Sequence, residues 1–420
     1  MVIELINTGS ELMLGRVLNT HQQWVCRALV DLGCVVSRQV AVPDAGSDIQ
    51  LAVRESLARA DLIITTGGLG PTSDDVTRDF IAQLLGRPLR EDGHVLARLQ
   101  AYFTERGRPM PVSTRAQALV PEGALVLQNQ HGTAPGLAME VNPNPFRTGG
   151  GRSWLFMLPG PPRELRPMFT ESVIPLIRKL LPPNQVLVCR TLRATGLGES
   201  VVEERIAPFL RELVAAGLEL GYCARPGQVD VRLVGQGTDA AVLVDAAEKI
   251  AREQLAGYLY GIEEEEIETL IVNRLTARKQ TLALAESCTG GSIANRLTNV
   301  PGASAVLLAG VISYSNESKS HFLGVSPELI LKHGAVSEPV ARQMAEGARR
   351  ETGADFALSV TGIAGPSGGT PAKPVGTVFI GLASAAGTVV EKKFNHLDRE
   401  SFKQLTAQQA LDLLRRTAAL

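Results

Sequence analysis

The sequence predicts an α/β protein of more than one domain. Three observations carry this. Apolar runs of strand length alternate with helix-length stretches, two buried-type strands end in glycine-rich loops, and 420 residues exceed one domain at ~100–200 residues each. Residues 2–8 read as a strand. Residues 19–32 read as a helix with Trp24, Ala28, Leu29 and Leu32 on one face and Gly33 as its stop, and 34–42 as a second strand. Ser47 can cap a helix reaching Ala60, 61–66 is a third strand, and 74–85 a helix opening on the Asp74–Asp75 pair. That β-α-β-α-β-α order argues a parallel sheet covered on both faces. The Pro- and Gly-rich stretch 142–152 reads as a hairpin or loop insertion, followed by a strand at 154–158.

A second region, 185–262, reads strand (186–192), helix (199–210), strand (218–223), strand (228–233), helix (239–255), a small α+β unit. The four glutamates 263–266 mark a linker or a helix start. The remainder is α/β again. A helix ends near Arg278, strand 281–285 runs into Ser287, further strands follow at 305–313, 356–360 and 377–383, and a helix closes the chain from Arg399. The domains expected are therefore 1–180, 185–262 and 263–420.

Apolar residues make up 45% of the chain and charged residues 20%, ordinary globular composition. A net charge of −1 disfavours nucleic acid and anionic membranes as partners, so any phosphate site must be local. Cys26, Cys34, Cys189, Cys223 and Cys288 form no CxxC pair or zinc spacing, which suits reduced thiols in the cytoplasm. The chain starts without the basic segment of a signal peptide. Its longest apolar run, 303–312, is broken by Ser304 and Gly310 and is too short to span a bilayer.

The first chemistry-bearing stretch is 65–77, TTGGLGPTSDDVT. Gly67, Gly68 and Gly70 let a ligand approach the backbone, and amides at a helix start favour phosphate. Carboxylates beside such a loop repel phosphate unless a hard cation bridges them, so Asp74 and Asp75 suggest Mg²⁺-type chemistry. Equally, Asp74 can simply cap a helix. Glu11 after the first strand and Asp44 after the second lie at neighbouring strand ends, where parallel sheets bind ligands. The loops 129–136 and 159–162 add further glycines, with His131 read as structural.

The second stretch is 285–291, AESCTGG. Ser287 sits where a strand turns into a helix, so the helix amides can face whatever it attacks. No histidine lies in a partner motif. Lys319, in the stretch YSNESK, can act as base if burial lowers its pKa, with Tyr314 as proton relay or oxyanion donor. Ser304 and Cys288 compete with Ser287 for the nucleophile role, Cys288 through a thiol acidified at a helix start. Thr289, Gly290 and Gly291 complete this loop. Thr361, Gly362 and Gly365 begin a third glycine-rich loop able to wrap a phosphate.

The TTGG loop with Asp75-Val76-Thr77 and Asp44 resembles the molybdopterin-binding fold of the MogA/MoaB type. GSELMLG, NQHGTAPG and LPGPPREL look more specifically like the N-terminal domain of the CinA family (competence/damage-inducible protein A). AESCTGG, GAS, YSNESK and VTGIAGPSGGT, in that order, resemble that family's C-terminal amidohydrolase domain, and the middle unit resembles its KH-type domain. The resemblance implies a bifunctional enzyme. Its C-terminal domain would convert nicotinamide mononucleotide (NMN) to nicotinate mononucleotide and ammonia, with Ser287, Ser304, Tyr314, Lys319 and Thr361 on active-site positions and no cofactor. Its N-terminal domain would cleave ADP-ribose with a divalent metal and help from K⁺. A homodimer is also implied. Arg399 is a candidate basic residue that the resemblance does not align. The loop 196–199 is not the GXXG of nucleic-acid-binding KH domains, so the middle unit reads as a spacer or dimer element. The competing readings are a non-enzymatic competence or DNA-damage adaptor and a molybdopterin-binding protein. Ammonia release from NMN separates the enzyme from both.

Overall fold

The computed structural model describes residues 1–181 and 186–419, so the expected boundary at 185 lies outside the described residues. The chain divides into two compact units, Met1–Leu187 and Val188–Leu420.

The first unit is built on β1 (Ile3–Thr8), α1 (Thr20–Val30), β2 (Val36–Val42), α2 (Gly46–Leu57), β3 (Leu62–Thr66), α3 (Thr77–Leu84), β4 (Leu125–Leu127), β5 (Gly136–Val141), β6 (Ser153–Leu158) and α4 (Pro162–Met168). The sheet order is β2-β1-β3-β6-β5-β4. The first four strands are parallel, but β5 pairs antiparallel with β6 and β4 antiparallel with β5, so the expected parallel sheet carries a reversed strand near one edge. Residues 142–152 join β5 to its neighbour β6 as a hairpin. Alternate strand residues feed two cores, Leu62 and Ile64 on one face and Ile63 on the other, which is why these strands read as continuous apolar runs.

Two helix starts differ from expectation. Ala45, not Ser47, precedes α2, and no side chain caps it; Gly46 has no room for a Cβ against the Phe80 ring. α3 starts at Thr77 rather than Asp74, because the Asp75 carboxylate accepts from the Thr72 amide at 2.9 Å and closes a turn instead. The aspartate pair therefore belongs to the loop.

The second unit opens with β7 (Leu187–Thr195), α5 (Glu199–Ala215), β8 (Glu219–Arg225), β9 (Gln228–Gln236), α6 (Ala240–Gln254) and a strand the sequence reading missed, β10 (Leu259–Ile262), in the order β8-β9-β7-β10. The glutamate run is not a loose linker. Buried Arg193 donates to the Glu263 carbonyl and, at 2.6 Å, to the Glu266 carboxylate. Glu266 then leads directly into α7 (Ile267–Arg278). There follow β11 (Leu282–Glu286), α8 (Ser292–Thr298), β12 (Leu307–Ile312), α9 (Asn316–Leu323), α10 (Pro327–His333), α11 (Glu338–Thr352), β13 (Phe356–Gly362), β14 (Thr377–Ser384), β15 (Gly387–Phe394) and α12 (Arg399–Thr417). The five strands run β12-β11-β13-β14-β15, the first three parallel and the rest antiparallel. Among the described residues no helix is long and apolar enough to cross a membrane.

Candidate active site

In the C-terminal sheet, Glu286 stands opposite Ile312 on one side and Val360 on the other. The next residues, Ser287, Ser313 and Thr361, therefore lie side by side at the carboxyl ends of three parallel strands. α9 starts just beyond β12, with the Ser315 hydroxyl accepting the Ser318 amide. Its first turn carries Lys319 back over the strand ends. Lys319 Nζ donates to Ser287 Oγ at 3.1 Å and to the Ser313 carbonyl at 2.7 Å. The lysine is only 2% exposed, and burial lowers its pKa from the ordinary value.

The amides at the start of α8 do not face the serine, contrary to expectation. Those of Gly291, Ile293 and Ala294 donate to the buried Glu286 carboxylate at 3.0, 3.2 and 2.8 Å. A carboxylate one residue before Ser287 already fills that helix end. Gly290 and Gly291, both at positive φ, turn the chain between the serine and the helix. Cys288 is buried, and burial pushes its thiol up to about 12, which disfavours the thiolate that a nucleophile needs. Thr289 is fully buried, its hydroxyl without a hydrogen-bond partner among the described residues.

Ser304 is not brought to this site. It lies exposed in the 3₁₀ turn Ala303–Ala305, ahead of β12, whereas Ser313 follows that strand's far end. Tyr314 is 62% exposed, and its phenol oxygen accepts from Arg399 Nη2 at 2.9 Å. Arg399 Nη1 donates to the Gly365 carbonyl at 2.8 Å, so one guanidinium ties Tyr314 to the loop beyond Gly362. Thr361 Oγ1 donates to the Ala335 carbonyl at 2.9 Å. One turn along α12, Lys403 Nζ comes within 3.7 Å of the position a Cβ on Gly290 would take. Ser313, Glu286 and Lys403 were not singled out from sequence. A strand-end serine, a residue inside a strand and one lysine of a polar helix carry no local signal.

In the first unit, Glu11, Asp44, Asp74, Asp75, Gly67, Gly68 and Gly70 all line one cleft of about 550 Å³. Ser10 and Asp44 clasp each other: the Ser10 amide donates to the Asp44 carboxylate at 2.8 Å, and the Asp44 amide to Ser10 Oγ at 3.1 Å. A Cβ on Gly70 would meet the Asp75 carboxylate at 2.3 Å, so any larger residue there must displace that side chain. The Thr72 hydroxyl holds the Asp74 carboxyl below its usual range. His131 is exposed and does not line the cleft. Glu164, missed from sequence, joins the lining, held by Asn129 Nδ2 at 2.7 Å. The lining thus carries five carboxylates and neither Lys nor Arg. Among the described residues no three His, Cys, Asp or Glu side chains converge to hold a metal. The four expected ligands, Glu11, Asp44, Asp74 and Asp75, therefore share one cleft without converging into a cluster. That fits Mg²⁺, which takes one or two carboxylates together with substrate phosphates and water.

Family models match along the whole chain: "Probable molybdopterin binding domain" over residues 4–179, "Damage-inducible protein CinA KH domain" over 189–261 and "CinA C-terminal domain" over 264–418. A CinA-like protein of Akkermansia muciniphila is 44% identical over 410 residues, 97% of this chain and 95% of its own length. The chain belongs to the CinA family. A second CinA-like protein, from Gemmatimonas aurantiaca, is 41% identical across 100% of this chain and 97% of its own. Among solved structures, the competence/damage inducible protein CihA from Agrobacterium tumefaciens is similar at 39% identity, covering 35% of this chain and 91% of its own, with a TM-score of 0.35.

Proposed function

We propose that the C-terminal domain of this CinA-family chain is a serine–lysine amidohydrolase acting on NMN, and that the N-terminal domain is a metal-dependent ADP-ribose pyrophosphatase. The observation that carries the first is the 3.1 Å contact between Lys319 Nζ and Ser287 Oγ, made by a buried lysine. In its neutral form Lys319 takes the Ser287 hydroxyl proton as Oγ adds to the amide carbon of the substrate. The C–N bond then breaks, and Lys319 returns the proton to the departing nitrogen, which leaves as ammonia. The nicotinoyl ester on Ser287 is hydrolysed by water deprotonated by the same lysine, giving nicotinate mononucleotide and restoring the serine. The Ser313 carbonyl holds Nζ in place throughout. Arg399 and Lys403, one helical turn apart, supply positive charge suited to the substrate's single phosphate. Ammonia release from NMN tests this reading, and its absence in the full chain would defeat it.

For the N-terminal domain, five carboxylates without a basic residue support a ligand that enters with its own cation. Glu11, Asp44, Asp74 and Asp75 are the residues to hold Mg²⁺ or a similar ion, and K⁺ remains part of the reading. When bound, such an ion neutralises phosphate charge and polarises the phosphoryl oxygens. The chain itself offers the Gly67–Gly70 backbone as a phosphate cradle and uses the Ser10–Asp44 clasp to fix two loops. Release of AMP from ADP-ribose with Mg²⁺ is the test. A cytoplasmic homodimer completes the proposal, and sedimentation of the full chain checks the stoichiometry.

A further inference from the structure

Two buried acceptor atoms in the N-terminal cleft are left without partners. Gln117 is 1% exposed; its Nε2 donates to the Leu69 carbonyl at 3.3 Å, while Oε1 has no partner among the described residues. His21, in the first turn of α1, has Nδ1 in the same condition, and its ring hydrogen-bonds the Gly160 backbone. Burial lowers the imidazole pKa, with Arg166 adding to the effect, which favours the neutral ring. A neutral ring that donates from Nε2 to a carbonyl presents Nδ1 as a lone-pair acceptor. Both residues line the cleft. Gln117 meets the glycine loop at Leu69, and a Cβ added to Gly160 would lie 3.8 Å from the Gly67 Cα, so the two acceptors flank that loop.

A buried acceptor without a donor is costly, and such groups are rarely left so. Neither atom can hold a phosphate oxygen or a carboxylate, since each needs a donor. In a sugar phosphate, the donors nearest the phosphate are the ribose hydroxyls. We propose that Gln117 Oε1 and His21 Nδ1 accept hydrogen bonds from the ribose hydroxyls of a sugar phosphate whose phosphate rests on the Gly67–Gly70 loop. This rests on the reading of the N-terminal cleft as a nucleotide site, and it adds the two residues that distinguish sugar phosphate from bare phosphate.

The test is calorimetric titration of the full chain, in Mg²⁺, with ribose 5-phosphate and with inorganic pyrophosphate. His21→Phe and Gln117→Met are each expected to weaken ribose 5-phosphate about tenfold and to leave pyrophosphate unchanged. His21→Asn keeps an acceptor near Nδ1 and is expected to bind both probes as the native chain does. Variants that bind ribose 5-phosphate with native affinity overturn the proposal. So does equal weakening of both probes, which marks the residues as merely structural. Pyrophosphate binding with no ribose 5-phosphate binding in the native chain overturns the proposal but not the phosphate site. Failure of the native chain to bind either probe defeats the nucleotide reading itself.

Discussion

Lys319 Nζ is shared between Ser287 Oγ, 3.1 Å away, and the Ser313 carbonyl, 2.7 Å away. The carbonyl fixes the lysine against the serine, so the two side chains act as one unit. Ser287→Ala and Lys319→Ala are each expected to lower turnover of NMN by several orders of magnitude, with no further loss in the double variant. Ser304→Ala, at the other end of β12, is expected to retain measurable turnover. Stopped assays of ammonia release decide this; an active Lys319→Ala would reject the mechanism.

The base works only when unprotonated. NMN deamidation is therefore expected to rise with pH, with its midpoint below the ordinary lysine value of 10.5, because burial disfavours the ammonium. The pH profile of kcat/KM measures it. A limb at or above that value would mean Lys319 is solvated in the working enzyme.

Glu286 holds three amides of the Ser287 turn. Glu286→Ala is expected to reduce kcat by roughly 100-fold with little change in KM, since small displacements of reacting groups are costly. Glu286→Gln keeps an acceptor oxygen and should recover much of the loss. An equal fall in kcat for both variants would point to the charge instead.

The two sites differ in what they need. EDTA is expected to abolish ADP-ribose cleavage and leave NMN deamidation nearly unchanged, because the acidic lining lies in the first unit and the serine–lysine pair gathers no carboxylate ligands. Parallel assays on one preparation check this, and equal loss of both activities contradicts it.

A fragment beginning at residue 263 loses Arg193, which Glu266 holds, and the Gly257 carbonyl, which accepts from Arg415 at 2.7 Å. It also loses Gln228, whose amide donates to Gln408 at 2.8 Å. It is expected to fold and deamidate NMN, but to melt roughly 5 °C or more below a fragment beginning at 188. Identical melting temperatures would show that these contacts add no stability.

The α/β succession of elements and the pairing of Ser287 with Lys319 were legible because both rest on short-range signals: apolar runs bounded by glycine, and a serine and a lysine in distinctive loops. What was not legible depended on long-range partners. Glu286 reads in sequence as one residue between a strand and Ser287, and only the fold shows that it fills the start of the following helix. The glutamate run reads as solvated until Arg193, seventy-three residues before Glu266, is seen against it. Asp74 lost the helix start because Thr72 competed for the neighbouring carboxylate. Gln117 and His21 are ordinary polar residues in sequence; their unpaired atoms exist only once the cleft has formed.

Ser287 and Ser313 each stand one position past the end of a strand, and Thr361 lies beside them as the last residue but one of β13, all three set by strand registers that are fixed. Strand length is thus the ruler that aligns them. One residue gained or lost within β11, β12 or β13 would turn a functional side chain to the opposite face of the sheet. Length variation in descendants of this chain should accordingly gather at the far ends of those strands, as in the turn around Gly302, and be purged from the strands themselves.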